Sequence, residues 1–229
     1  MNSKSHTNLS LIEGIHSTPA RRYLSDQQIP DDIIWDLLDA AIRGPSGGNS
    51  QPWSWIVVRD KQTKNQIAEW YLNGWNKAYG IRRDDIMERR DIADTLGPRN
   101  YLSAEHLANH IQEAPVWIFA VLRNTANSNS PRAGSSIYGA VQNLMLAARS
   151  YGIGSTLTTL YSVHEKEVKD LLGLPEDAMT MALIPLGYPS KGRWSQPKRQ
   201  HVEDVTPVSY THLRAHETEA DLVCRLLLE

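Results

Sequence analysis

The stretch Pro45-Ser-Gly-Gly-Asn-Ser-Gln-Pro-Trp53 is a turn rich in small residues that stands between a helical pattern and an apolar, β-rich segment. Small side chains allow a flat ligand to approach the backbone, and Ser46, Asn49 and Gln51 offer hydrogen-bonding groups. The sequence therefore predicts a ligand-binding turn here, and the elements on both sides of the turn define the fold.

The segment before the turn, residues 31–43, has the spacing of an amphipathic helix, with acidic residues at its start and a Gly-Pro pair behind it. Residues 53–58, 116–122 and 179–186 are short, continuous apolar runs bounded by turn residues, which is typical of strands buried on both faces. The apolar stripe of the helix consists of Ile33, Ile34, Leu37, Leu38, Ala41 and Ile42. This pattern predicts one helix followed by three buried strands.

Further helices are predicted between the second and third strands. Residues 136–150 carry apolar side chains at helical spacing, and Gly152 just behind them predicts a glycine C-cap. Another helix is predicted to begin at Ser162, where Glu165 would complete a capping box. Helices therefore alternate with strands, and the chain has no internal repeat.

The chain of 229 residues is 41% apolar and 22% charged, which suits one folded domain and excludes a disordered protein. Its single cysteine, Cys224, excludes a disulfide framework and any zinc or iron–sulfur site built from cysteines. No apolar run approaches the roughly 20 residues that a membrane-spanning helix requires, and the polar start lacks the apolar stretch of a secretory signal. We therefore expect a cytoplasmic protein without membrane contact.

Residues 208–229 resemble translated sequencing-adapter DNA, and we expect them to be a non-native tail that contributes nothing to the fold. Residues 1–207 are then expected to form a single domain. The chain has 24 basic and 26 acidic side chains and is close to neutral. A neutral protein lacks the counterion-release contribution that holds nucleic acids, so we predict no nucleic-acid partner.

Two kinds of catalytic site are not supported by the residue spacing. His106 and His110 stand four residues apart, which lets two imidazoles share a metal ion, but no third ligand is evident, so we predict no metal site. The chain lacks a Gly-x-Ser-x-Gly turn, and Ser46 is spaced wrongly for a nucleophile elbow, which argues against a hydrolase triad.

Residues 71–102 mix aromatic side chains with dense charges and allow two interpretations. The segment is either a lid that covers a ligand or an ordinary two-helix excursion whose aromatic side chains pack on their own domain. The sequence leaves both open.

Four blocks of the sequence, in matching order and spacing, resemble the FMN-dependent nitroreductase family, which also includes iodotyrosine deiodinase. The resemblance spans about residues 12 to 206, and its blocks are residues 17–23 with 29–30, 41–53 with 56–58, 140–159, and 172–175 with 185–199. It implies an α+β fold with a mixed, mostly antiparallel central sheet flanked by helices. It also implies an intertwined homodimer with two FMN molecules at the subunit interface.

The resemblance further implies which residues bind the cofactor. The first block matches a run that holds the phosphate and ribityl chain, and guanidinium and hydroxyl donors suit a phosphate. The residues are Ser17, Thr18, Arg21 and Arg22 in this block, Pro45, Ser46, Gly47 and Asn49 in the turn toward the other subunit's flavin, Thr158 and Thr159 at the isoalloxazine edge near N5, and Arg199 at the phosphate. Pro19 departs from the family, which commonly has Ser or Arg there, so one phosphate donor is missing.

By the same resemblance, NADH or NADPH delivers a hydride to FMN, and a small conjugated acceptor such as a nitroaromatic or a quinone then takes the electrons. The flavin carries the chemistry, so no side chain is predicted as a general acid or base. Two alternatives stay open: a specialised reductive dehalogenase-like flavoenzyme in which residues 71–102 close over one substrate, and a non-catalytic flavin-binding protein.

Overall fold

A four-stranded antiparallel sheet organises the computed structural model, which describes residues 7–88, 97–123 and 132–207. The strands are β1 (Trp53–Val58), β2 (Val116–Leu122), β3 (Gly154–Ser155) and β4 (Met179–Gly187). Their order is β1-β2-β4-β3, and each neighbouring pair is antiparallel. The three predicted strands are confirmed, and the two-residue strand β3 was not predicted. The predicted burial is wrong for β1, because it lies at the edge of the sheet and Val57 is 38% exposed.

The described residues also form seven α-helices. These are α1 (Leu11–His16), α2 (Asp31–Ala41), α3 (Lys61–Ala78), α4 (Arg83–Glu88), α5 (Pro98–His110), α6 (Tyr138–Ser150) and α7 (Glu165–Leu171). The chain divides into two compact units, Met1–Gln196 and Pro197–Glu229, and all of these helices and strands lie in the first. Within the described ranges, no helix has the length and hydrophobicity needed to cross a membrane. The predicted tail, residues 208–229, lies outside those ranges.

Strand β2 is buried along its whole length because helices cover both faces of the sheet. Alternate side chains of a strand point to opposite faces, so β2 contributes to two separate cores. Val116, Ile118, Ala120 and Leu122 pack in the core of α2 and α6, whereas Trp117, Phe119 and Val121 pack in the core of α3 and α5. All seven residues are 0–3% exposed. The predicted α+β fold, with helices flanking a central sheet, is confirmed.

Helix α2 follows the predicted stripe over its length. Ile34, Leu37 and Ala41 are buried against α6 and the sheet. Ile42 departs from the prediction because the helix ends at Ala41, which leaves Ile42 at the C-cap and exposed. The exposed face of α2 carries Trp35.

Of two predicted helix termini, the C-cap of α6 is confirmed and the N-terminal capping box of α7 is wrong. Gly152 has a left-handed φ of +70° behind α6, and the next N–H donates to the Ala148 carbonyl at 2.9 Å, which confirms the glycine C-cap. The capping box at Ser162 is wrong, because Ser162 lies in a 3₁₀ segment and α7 begins only at Glu165. The Glu165 carboxylate instead accepts bonds from the Thr180 N–H and hydroxyl, at 3.0 and 2.9 Å.

Several large side chains in the described parts of residues 71–102 pack in the core of α3 and α5, whereas Ile81 is 82% exposed. Tyr71, Trp75, Ile86 and Tyr101 are each 5% exposed or less and pack in that core. Residues 89–96 lie outside the described residues. The lid therefore stays a prediction, and the aromatic side chains on either side of residues 89–96 are structural.

His106 lies in a column of stacked rings on α5. Its ring centroid is 4.0 Å from that of Tyr23 and 4.5 Å from that of His110, whose Nδ1 lies 2.8 Å from a Glu113 carboxylate oxygen. Burial, with a smaller effect of His110, lowers the pKa of His106 below its ordinary 6.5. Across the described ranges, no group of three or more His, Cys, Asp or Glu side chains is placed to hold a metal ion.

The lowered pKa of His106 makes the stability of the protein depend on pH. The unfolded chain binds a proton at His106 more readily than the folded chain, so the free energy of unfolding should fall as the pH drops below 6.5. Urea unfolding at several pH values checks this, with His106→Gln as the variant expected to show a shallower loss. An identical slope in wild type and variant would exclude His106 as the cause.

Candidate functional site

The small-residue turn after α2 is anchored to the beginning of α6. Gly44 passes so close to this helix that a Cβ on it would lie 2.6 Å from the Ala140 nitrogen, which only glycine avoids. Two residues before α6 begins, the Ser136 Oγ accepts a hydrogen bond of 3.1 Å from the Gly47 N–H. These contacts fix the start of the turn.

The middle of the turn is strained and exposed. Gly48, Asn49 and Gln51 have left-handed φ angles of +58°, +53° and +47°, which cost little for glycine but are unfavourable for the other two residues. The Gln51 N–H donates to Ser46 Oγ at 3.0 Å and stabilises this conformation. Pro45, Gly47 and Asn49, all predicted to bind cofactor, are exposed. Strained backbone that is not buried points to recognition rather than to folding.

The first block begins with two hydroxyls that end α1. Ser17 Oγ is buried and has no hydrogen-bond partner among the described residues. Thr18 Oγ1 donates to the Gly14 carbonyl at 2.6 Å and keeps its acceptor capacity. Ser17 is therefore the hydroxyl of this pair that still requires a partner.

Arg21 is buried, and its guanidinium contacts the segment after β4. Its two terminal nitrogens donate to the carbonyls of Arg193 and Lys191, at 2.8 and 2.5 Å. Its guanidinium carbon lies 5.0 Å from the centre of the Trp194 ring, and that of Arg149 lies 4.1 Å from the same ring. Burial and the neighbouring Arg149 both lower the pKa of Arg21. Two of the Arg21 donors are thus committed within the protein.

Arg22 has different neighbours from Arg21. It is half-buried and interacts electrostatically with Tyr71, whose hydroxyl lies 2.9 Å from Thr158 Oγ1. Burial lowers the pKa of Arg22, and attraction to Tyr71 opposes this effect. No carboxylate in the described part of the chain forms an ion pair with Arg22. A half-buried cation without an ion-pair partner among the described residues is suited to an anionic or electron-rich ligand.

The remaining predicted residues are not joined to this cluster by any hydrogen bond seen in the described residues. Thr159 is exposed next to Thr158. Arg199 lies exposed in the second unit, where its Nη1 donates to the Lys198 carbonyl at 2.9 Å. The roles of Thr159 and Arg199, and those of the turn residues, stay predictions.

The nitroreductase family model matches residues 15–188, which include every predicted site residue except Arg199. The chain belongs to the nitroreductase family. An NADH dehydrogenase from Thermus thermophilus is 29% identical over 180 residues, which cover 75% of this chain and 82% of that protein. An iodotyrosine deiodinase from Thermotoga neapolitana is 26% identical over 79% of this chain and 88% of its own length.

Solved structures share the fold. A nitroreductase with bound FMN from Desulfitobacterium hafniense superposes with a TM-score of 0.63 at 20% sequence identity. The match covers 91% of this chain and all of that one. At this identity, the comparison establishes the nitroreductase fold and nothing finer.

Tyr71 contacts the predicted site residue Thr158 but was not itself predicted as a site residue. It was grouped with the possible lid, although Ile67, Tyr71, Gly74 and Trp75 recur at the spacing of one helix face. These four residues are buried in α3. This helical spacing indicates that Tyr71 packs on a buried helix face and is not part of a mobile lid.

Proposed function

We propose that the chain is an FMN-dependent oxidoreductase that passes a hydride from NADH or NADPH, through the flavin, to a small conjugated acceptor such as a nitroaromatic or a quinone. The observation that carries the proposal is the half-buried Arg22, which interacts electrostatically with Tyr71 and has no ion-pair partner in the described residues. A reduced flavin is anionic, and a fixed cation beside it stabilises that charge. Membership in the nitroreductase family supports this assignment.

The hydrogen-bond donors of the first block fit a flavin mononucleotide. A buried hydroxyl without an acceptor, such as that of Ser17, costs about 1 to 3 kcal/mol, and a phosphate or ribityl oxygen removes this cost. Arg21 keeps guanidinium donors beyond the two that bind carbonyls, and Arg22 is not ion-paired within the described ranges. When bound, FMN supplies the hydride chemistry, and the side chains bind and orient it.

Each predicted residue then has a proposed task. Ser17, Thr18 and Arg21 hold the phosphate and ribityl chain, and the phosphate role of Arg199 stays a prediction of the resemblance. Thr158 and Thr159 contact the isoalloxazine edge, and Arg22 places positive charge near it. Except for Arg22, these tasks come from the family resemblance, and that of Thr158 is also supported by its hydrogen bond with Tyr71. The resemblance puts Arg22 in the block that holds the phosphate and ribityl chain, and its electrostatic interaction with Tyr71 supports the task proposed here.

The exposure of the turn supports a homodimer in which Pro45, Ser46, Gly47 and Asn49 serve the flavin of the partner. Exposed apolar side chains on α1 and α2 also agree with a surface that the partner subunit covers. Large apolar side chains are exposed on the first two helices, with Leu11 at 72%, Ile15 at 50% and Trp35 at 71%. Apolar surface of this kind is usually an interaction surface.

The similarity to an iodotyrosine deiodinase favours a second candidate, the reductive removal of halogen from an aromatic substrate. Both candidates need the same flavin and differ in the acceptor. Comparing the reoxidation of the reduced protein by a nitroaromatic, by a quinone and by 3-iodotyrosine distinguishes them. Bound flavin that neither nicotinamide reduces would indicate the third possibility, a non-catalytic flavin-binding protein.

The proposal predicts that the purified protein carries about one FMN per chain, a stoichiometry that follows from one site per subunit. In analytical ultracentrifugation, the flavin absorbance should sediment with a dimer. A flavin-loaded monomer would contradict the proposed contribution of the turn to the partner's site. A colourless protein that cannot be reconstituted with FMN would contradict the proposed function itself.

A further inference from the structure

Thr158 has only its hydroxyl available for a ligand. Its N–H donates to the Leu183 carbonyl at 3.0 Å, and its own carbonyl accepts from the Leu183 N–H at 2.9 Å. The backbone of Thr158 is therefore fully used in a bridge to β4. The direction in which its hydroxyl proton points decides what Thr158 offers to a ligand.

Tyr71 is the side chain that contacts this hydroxyl, with the two oxygens 2.9 Å apart. Tyr71 is 2% exposed, and one turn further along α3 a Cβ on Gly74 would lie 1.9 Å from the Leu160 carbonyl oxygen. Helix α3 is thus in direct contact with the backbone two residues beyond Thr158. This packing holds the Tyr71 hydroxyl in place relative to Thr158.

Tyr71 is better placed to donate in this pair than to accept. Burial raises the pKa of Tyr71, so the side chain is a phenol with one proton at neutral pH. Among the described residues, Thr158 Oγ1 is the one hydrogen-bond partner of the Tyr71 hydroxyl. A buried phenol proton without an acceptor costs free energy, so this proton is directed to Thr158 Oγ1, which leaves the Thr158 proton free to point outward.

We propose that Tyr71 is a positioning residue. It does not contact the ligand itself but orients the Thr158 hydroxyl as a donor toward the flavin N5 edge. The proposal rests on the proposed function, because it requires that FMN binds beside Thr158. It adds to that function a buried residue on α3, and it predicts that Tyr71 and Thr158 act as one unit.

The test compares two cofactors that differ at one atom. In 5-deaza-FMN a carbon replaces N5, so the flavin cannot accept a hydrogen bond there. Apoprotein is titrated with FMN and with 5-deaza-FMN, and the ratio of the two dissociation constants is measured. The variants are Tyr71→Phe, Thr158→Val and the double variant. Tyr161→Phe is the matched control, since this tyrosine is also fully buried and donates to a backbone carbonyl, that of Thr180.

The wild-type protein and the Tyr161→Phe control are expected to bind FMN about three- to tenfold more tightly than 5-deaza-FMN, the usual effect of one hydrogen bond. Thr158→Val should abolish this preference, and Tyr71→Phe should reduce it to less than about twofold. The double variant should behave as Thr158→Val alone, because the two residues act on the same contact.

Equal weakening of both cofactors by Tyr71→Phe would overturn the proposal, since a merely structural tyrosine does not distinguish N5 from carbon. An unchanged preference in Tyr71→Phe would also overturn it. If the wild-type apoprotein binds neither cofactor, the proposed function is contradicted, and the role of Tyr71 with it. If the wild-type protein binds FMN but Tyr71→Phe leaves the preference unchanged, only the role of Tyr71 is contradicted.

Discussion

Replacing Arg22 by Ala is expected to weaken FMN binding about 10- to 100-fold, because the variant loses a charged hydrogen-bond donor worth about 1.5 to 3 kcal/mol. The fold should tolerate the change, since Arg22 is half-buried and makes no ion pair within the described residues. Fluorescence titration of the apoprotein with FMN measures the affinity. Thermal unfolding without flavin measures the stability.

Arg43→Ala is the matched control for Arg22. The Arg43 guanidinium lies 2.6 Å from the Asp39 carboxylate one helical turn away, and both side chains are exposed. Such surface pairs contribute little to stability, so this variant should match the wild type in both measurements. Wild-type affinity in Arg22→Ala would remove Arg22 from the flavin site and with it the main support for the proposed function.

Gly74→Ala is expected to lower the free energy of unfolding by about 3 kcal/mol or more, at the upper end of the cost of overpacking. The added Cβ would lie 1.9 Å from the Leu160 carbonyl oxygen and 2.9 Å from its carbon. Both atoms are backbone, so a side-chain rotation cannot relieve the overlap and α3 must move. Chemical denaturation of the apoprotein gives the change in free energy.

Gly14→Ala provides the comparison for Gly74→Ala. Gly14 is also helical, but a Cβ on it would lie 3.5 Å from a Leu9 methyl group, an ordinary contact. Alanine stabilises a helix by about 0.5 to 1 kcal/mol relative to glycine, so this variant should be neutral or slightly more stable. A Gly74→Ala protein as stable as the wild type would show that α3 is not held against Leu160.

Much of the fold was predictable because local pattern and tertiary packing agree. The continuous apolar run of residues 116–122 predicts a strand buried on both faces, and β2 is buried in two cores. The capping box predicted at Ser162 does not form, because the Glu165 carboxylate accepts hydrogen bonds from the N–H and hydroxyl of Thr180, which is distant in sequence. Strand β3 is two residues long and gives no periodic signal.

The candidate site was predictable only in part, because contacts between residues that are distant in sequence define the surroundings of its side chains. Residue type and order placed Arg21 and Arg22 together in the sequence, but only the structure separates their surroundings. Arg21 binds the carbonyls of Lys191 and Arg193, whereas Arg22 interacts electrostatically with Tyr71. The pairing of Tyr71 with Thr158 joins residues 87 positions apart, and no local pattern encodes such a contact.

The most direct test of the central claim is the anaerobic reduction of the FMN-loaded protein. On addition of NADH or NADPH without oxygen, the visible flavin absorbance should be lost, and adding a nitroaromatic or a quinone should restore it. Persistent yellow colour with both nicotinamides, in a protein that dithionite bleaches, would contradict an NAD(P)H-dependent oxidoreductase.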